Sequence, residues 1–183
     1  MLAVQRGDDA AFEALFRKYV RQVAGFALSF VGSQARAEEV AQEAFVRVYQ
    51  TRSRYQPAAR FTTWLYRIVT NLCVSEARRA EHRVMTVLRS REGTTEPHVD
   101  AGDLPDEQSL SGEERLLAQE DLDRIRDVLG RLPPQQRAAL LLARVEGLSY
   151  DEVAQSLGSS VSAVKSLIHR ATSSMRDELA KDD

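Results

Sequence analysis

Residues 147–171 read GLSYDEVAQSLGSSVSAVKSLIHRA. Ser149 stands three residues before Glu152, the spacing of a capping box, in which each side chain satisfies an orphan backbone donor at a helix start. A short helix is expected from about Tyr150, with Val153, Ala154 and Leu157 as its apolar face, and Gly158 can take the left-handed conformation that ends it. Ser159 and Ser160 supply a turn and the cap of a second helix. On that helix Val164, Ile168, Ala171, Met175 and Leu179 share a core-facing stripe, and Ser162, Lys165, Ser166, His169 and Ser173 share the opposite one. The apolar spacing alone also suits an ordinary helical hairpin with a solvated face. Small polar and basic residues at the start of the second helix match a major-groove reader, a helix-turn-helix whose target is double-stranded DNA.

At 183 residues the chain can hold one sizeable domain or two small ones. Two are favoured by the way charge is distributed. Residues 1–88 carry 13 Lys/Arg against 8 Asp/Glu, residues 89–118 carry 3 against 8, and the remainder 9 against 11, so a near-neutral net charge of −2 conceals a basic block and an acidic segment. The segment SREGTTEPHVDAGDLPDEQSLSGEE, residues 90–114, is rich in Gly, Pro, Ser and acids and has no periodicity. It reads as a linker. The expected division is a domain over 1–88, an acidic linker over 89–118 and a helix-turn-helix domain over 119–183. The single Cys excludes an internal disulfide and fits a reducing cytoplasm, and no Cys/His cluster has zinc-ligand spacing. Cys73, beside Leu72, reads as core. No run of eighteen apolar residues and no basic-then-apolar N-terminus occurs, so no membrane insertion and a cytoplasmic location are expected.

Before the linker the periodicity is helical. Phe12, Leu15, Phe16, Tyr19, Val23, Phe26 and Phe30 mark a helix that follows an Asp8 or Asp9 cap and ends near Gly32. A second helix after Ser33 turns Val40, Ala41, Ala44, Phe45 and Val48 inward, leaving Glu38, Glu39, Gln42 and Glu43 on other faces. A third starts near Thr62 or Thr63 with Leu65, Ile68, Val69 and Leu72 inward. With no strand alternation and no Gly-rich phosphate loop, the fold class is all-α. Between Arg47 and Arg83, eight arginines face only Glu76 and Glu81, and Tyr49, Tyr55, Phe61, Trp64 and Tyr66 are interleaved among them. Cations for phosphates and rings for unstacked bases are what single-stranded nucleic acid binding uses. Each base-aromatic stack contributes roughly 1 to 3 kcal/mol, comparable to the few kcal/mol that extruding a base costs, so such a surface can hold melted DNA without ATP. Leu65, Ile68 and Tyr66 are the members of this stretch that fit a core role instead.

Three stretches in order, AEEVAQEAFVRVYQ (37–50), RYQPAARFTTWLYRIVTNLCVSEARR (54–79) and LPPQQRAALLLARVEGLSYDEVAQSLGSSVSAVKSLIHRA (132–171), together resemble the extracytoplasmic function branch of bacterial sigma factors. The resemblance covers nearly the whole chain apart from the linker. It implies an alternative sigma factor, with an N-terminal domain for the promoter −10 element and a C-terminal domain for the −35 element, that binds core RNA polymerase and helps open the DNA. Glu38, Glu39, Gln42 and Glu43 resemble the docking surface for the clamp helices of the polymerase beta-prime subunit, and the beta flap is a further implied contact. The loop 51–60, with Arg54, Tyr55 and Arg60, resembles the loop that captures a flipped base. Phe61, Trp64, Arg67 and Asn71 would flank the melted strand, and Arg78, Arg79 and Arg83 would hold upstream phosphates. Ser162, Lys165, Ser166, His169 and Arg170 would read the −35 element. The linker would thread toward the RNA exit path, its negative charge imitating RNA. The resemblance further implies a separate anti-sigma factor, a monomer when free, no cofactor and no enzymatic activity.

Spacing gives such a protein a reason to need its polymerase. Two promoter elements one and a half turns apart lie about 50 Å from each other. A flexible linker of about 30 residues has a root-mean-square span of about 30 Å but extends to roughly 100 Å, so it permits the spacing without measuring it. The chain departs from the family at Arg36, where Asp is frequent, at Leu167, where a basic residue is common, and at Thr172, where Arg is. Leu167 lies at the edge of the apolar stripe, which shifts the expected base contacts onto its neighbours. Two rival classes are a stand-alone operator-binding regulator, which leaves the basic aromatic block unexplained, and a nucleic-acid enzyme holding Mg²⁺ on Glu38, Glu39 and Glu43. No base, nucleophile or metal cage accompanies those carboxylates.

Overall fold

The structure is a computed structural model that describes residues 1–58, 60–90 and 112–181, with side chains described for 1–58, 60–79, 120 and 122–181. Every regular element among them is helical: α1 (Leu2–Gln5), α2 (Asp9–Val31), α3 (Gln34–Gln50), a 3-10 turn (Arg52–Arg54), α4 (Phe61–Ser90), α5 (Gly112–Arg131), α6 (Pro134–Arg144), α7 (Tyr150–Leu157) and α8 (Val161–Leu179). Most of the expected linker, 91–111, lies outside the described residues. At its edges α4 continues to Ser90 and α5 already begins at Gly112, so helix occupies both ends of the 89–118 segment.

Helix boundaries follow local chemistry. Asp8 caps α2, its carboxylate accepting from the Ala11 N–H at 2.9 Å, while Asp9 sits in the first turn. The capping box of α7 is complete: Glu152 N–H donates to Ser149 Oγ, and Ser149 N–H donates to Glu152 Oε2 at 2.9 Å. Gly158 ends α7 at φ 60°, where a side chain would strain the backbone. Ser160 then caps α8 through the Ala163 N–H.

Helices α2, α3 and α4 pack on one another, with Phe45 at the centre, 2 % exposed and edge-on to Phe12 and Phe16. Cys73 is fully buried there. Helices α6, α7 and α8 form the second unit around Leu142, Val153, Val164 and Ile168. These units do not keep separate cores. Helices α6 and α7 also pack on α4, α5 packs on α2, and one apolar cluster runs through both.

α4 is therefore covered on two stripes: Leu65, Val69, Leu72 and Cys73 toward the N-terminal unit, and Thr63, Tyr66 and Thr70 on a neighbouring stripe. Arg137 of α6 fastens the junction. It is 6 % exposed, donates to the carbonyls of Ser29 (3.1 Å), Leu132 (3.2 Å) and Gly130, and lies over the Phe30 ring at 5.2 Å. The carbonyls at the end of α2 lack helical partners and carry the negative end of its dipole, so a cation there is favoured twice. Arg137→Ala is expected to lower unfolding free energy by at least about 2 kcal/mol, since it strands several buried acceptors. Arg137→Lys restores charge without the planar fork and recovers only part of the loss. Urea unfolding checks both, and a loss below about 0.5 kcal/mol, the size of an ordinary surface effect, contradicts the assignment.

Candidate nucleic-acid interface

Arg60, just before α4, and Trp64, Arg67, Asn71 and Arg78 on it recur at helical spacing, so the fold gathers them into one stripe beside the stripe that the C-terminal unit covers. Arg67, Asn71, Arg78 and Arg79 are exposed. Trp64 and Phe61 are half-buried, joined to each other at 6.1 Å between ring centroids, and Phe61 leans on Tyr19 at 5.4 Å. Arg79 is drawn to Glu76 at 2.5 Å, and Arg54 points into solvent from the 3-10 turn. Arg83 lies beyond the described side chains.

Tyr55 stands apart from its neighbours. Only 8 % of it is exposed, and its ring meets the half-buried Trp64 edge-on at 5.3 Å, so it supports that ring and offers no open face of its own. Arg60 has a protein partner that its position in a loop did not announce, Glu152 of the α7 capping box at 3.6 Å. The Arg60 side chain is 80 % exposed, and a contact of that kind contributes little and yields easily to a phosphate.

On α8, Ser162, Lys165, Ser166, His169 and Arg170 are all exposed, and the last four line one open concavity. The Arg170 Nε–H donates to the Ser166 carbonyl at 3.3 Å and the Ser166 hydroxyl to the Ser162 carbonyl at 3.1 Å. Leu167 is half-buried and packs on the core, as its place on the helical wheel suggested. On α3, Glu38, Glu39, Gln42 and Glu43 are exposed, Glu38 accepting from Gln34 at 2.8 Å and Glu43 from Arg47 at 2.7 Å. Val46, 47 % exposed, continues the Glu39–Glu43 stripe and gives it an apolar end. Among the described residues no group of three or more His, Cys, Asp or Glu is placed to hold a metal, and no helix is long and apolar enough to cross a membrane.

Sequence periodicity did not single out the residues that join the two units. Every buried polar or charged side chain among the described residues, Thr63, Thr70, Arg137 and Ser156, belongs to this junction or to the α4 stripe that faces it. Ser156 donates to the Thr63 carbonyl at 3.1 Å, and the Tyr66 hydroxyl donates to Glu146. The buried Thr63 and Thr70 hydroxyls find no hydrogen-bond partner among the described protein groups.

Residues 15–83 match the family model for Sigma-70 region 2, and residues 122–175 match that for Sigma-70 region 4. Over 96 % of its length the chain is 36 % identical to the ECF RNA polymerase sigma factor SigE of Mycolicibacterium smegmatis. It is 33 % identical to the RNA polymerase sigma factor CarQ of Myxococcus xanthus, over 96 % of this chain and 92 % of that one. The chain belongs to the extracytoplasmic function branch of the sigma-70 family. That family is one of transcription initiation factors. The chain spans only 65 % of the length of SigE. The same fold, at a TM-score of 0.70, occurs in the complex of the sigma factor RpoE with the anti-sigma factor NepR from Bartonella quintana, at 20 % identity over 94 % of this chain and 99 % of that one. It occurs again, also at 0.70, in the complex of CnrH with the cytosolic domain of CnrY, at 24 % identity over 100 % of this chain and 96 % of that one.

Two carboxylates at the junction respond to pH in opposite senses. Burial holds Glu146 above the usual carboxylate range against the pull of the Tyr66 hydrogen bond, and the phenol, itself pushed upward by burial, remains the donor. The folded state thus binds the Glu146 proton more tightly than the unfolded chain, and stability falls as pH rises through the raised value. Glu152 is held below its usual range by the backbone and side chain of Ser149, so its contribution is lost only as pH falls through that depressed value. Relative to the parent, Glu146→Gln should gain stability as pH rises from about 5 to about 7, a window above the ordinary glutamate value. Denaturant midpoints measured across that range test it, and a constant difference between the two proteins contradicts it.

Proposed function

We propose that this sigma factor binds core RNA polymerase through the acidic stripe of α3 and grips a promoter at two points, melted −10 DNA on α4 and the −35 duplex on α8. The observation that carries the reading is that one chain presents three solvent-facing surfaces of different chemistry: the α3 acids with Val46, the basic and aromatic α4 stripe, and the polar and basic start of α8. The acids of α3 suit basic groups on the beta-prime clamp helices, a complementarity that steers encounter and fixes register. The C-terminal unit takes the beta flap as its own polymerase contact. Free, the protein is a cytoplasmic monomer with no enzymatic chemistry.

Packing gives polymerase a second task. The two promoter elements lie about 50 Å apart. In the free chain α6 and α7 rest on α4, and holoenzyme assembly parts the two units to reach both elements. A sigma factor of this fold has been solved with an anti-sigma partner, and control by such a partner is proposed here as well.

Run-off transcription with core polymerase on a promoter library randomised at both elements tests the function. Transcripts are expected only when chain and core are both present, with preferences at the two elements. The chain alone should give weak, spacer-independent gel shifts, and tight spacer-dependent binding without core contradicts the reading. Lys165→Ala should lower promoter occupancy by about 1 to 3 kcal/mol if its ammonium reads a base edge. A loss equal on all sequences, with the salt slope reduced by about one, assigns Lys165 to phosphate instead. Transcription equal to the parent removes Lys165 from the site.

A further inference from the structure

The loop that enters the −10 site is tied down at both ends. Where α3 gives way to the 3-10 turn, the Tyr49 hydroxyl donates to Asp9 at 3.1 Å, its ring meets Phe12 edge-on at 5.0 Å, and the Arg52 guanidinium lies over that ring at 4.0 Å. Arg52 also donates to the Tyr49 carbonyl at 2.6 Å. At the far end the tie comes from the N-terminus. Helix α1 is a single turn anchored by Val4, 1 % exposed, and Gly7 at φ 88° reverses the chain so that Asp8 can cap α2. That reversal lays α1 against the 3-10 turn, where the Gln5 amide donates to the Tyr55 carbonyl at 2.7 Å.

We infer that Gln5 is a positioning residue for −10 recognition, setting through the Tyr55 carbonyl the direction in which the base-capturing loop leaves the domain. The inference rests on the proposal that loop 51–60 and the α4 stripe receive the melted strand. Tyr55 ends the 3-10 turn in mid-loop, in an extended conformation at φ −65° and ψ 126°. The same residue props Trp64 at 5.3 Å and Phe61 at 6.4 Å. One hydrogen bond therefore governs two parts of the site, the orientation of the loop and the seating of the rings. Gln5 is half-buried and Tyr55 buried, so water is poorly placed to replace the amide. Loss of a single bond of this type shifts a conformational equilibrium by about two- to tenfold, enough to relax a choice among bases while the domain stays folded.

The test uses full-length Gln5→Met, which keeps length and loses the donor, Gln5→Lys, which keeps a donor of similar reach, and Arg54→Ala, each assembled with core polymerase. Each holoenzyme transcribes the promoter library randomised at both elements, and thermal midpoint and core affinity are measured alongside. Gln5→Met is expected to lower discrimination among −10 bases by about two- to tenfold, with −35 preference and core affinity as in the parent and a thermal midpoint lower by at most a few degrees. Gln5→Lys is expected to retain most of the −10 discrimination. A purely structural Gln5 would lower midpoint, core affinity and both preferences together, and that result overturns the inference, as does Gln5→Lys failing to the same degree as Gln5→Met. Unchanged −10 preference in Gln5→Met beside relaxed preference in Arg54→Ala overturns the inference and leaves the loop reading standing. Unchanged −10 preference in both removes the loop reading, and the inference with it.

Discussion

Arg137 is the one charged side chain buried among the described residues, and the relation between the two units follows from it. A guanidinium taken out of water must have its donors met, and the end of α2 offers acceptors in the right place. The Ser29 carbonyl has no helical partner of its own, and the Phe30 ring gives the cation a face to lie on. With α6 fixed there, α7 comes to rest on α4, Ser156 reaches the Thr63 carbonyl and Glu146 reaches Tyr66. The same placement brings Glu152 beside Arg60, so the cap of the first helix-turn-helix helix touches the edge of the basic stripe along α4.

α4 thereby serves three masters on three stripes. One is apolar and holds the N-terminal unit together through Leu65, Val69 and Cys73. The next is polar, with two threonine hydroxyls lacking partners, and meets the C-terminal unit. The third, from Arg60 to Arg78, stays open to solvent. The difference in chemistry between the first two stripes distinguishes a core from a seam. Separation of an apolar interface would expose greasy surface to water at about 25 cal/mol per Å². Separation of the second stripe returns hydroxyls, a carboxylate and a guanidinium to water, yet it also exposes part of the apolar cluster that runs through both units, a cost that contacts with polymerase have to offset.

The sequence was most legible where local chemistry decides the structure. Ser149 and Glu152 meet as a capping box, Gly158 is left-handed, α2 stops at Gly32, and Leu167 packs where the helical wheel put it. Periodicity could not reveal contacts between segments distant in the chain. Arg137 follows two glutamines, and the partners that tie it to the N-terminal unit, Ser29 and Phe30, are over a hundred residues away. Tyr55 looked like a ring for a base because aromatic type does not distinguish a stacking platform from its support. The domain division is silent on packing for the same reason: an acidic, aperiodic linker marks where chain order breaks, and it carries no information about whether the flanking units touch.

The central claim, that the two units rest together in the free protein and part on polymerase, is most directly tested by the distance between them. Donor and acceptor dyes at Ala14→Cys and Ser174→Cys, both exposed positions on α2 and α8, report it by energy transfer, while the buried Cys73 is shielded from labelling. The account predicts high transfer in the free chain and a fall on adding core polymerase, to a separation suited to promoter elements about 50 Å apart. Transfer that is the same with and without polymerase would contradict it.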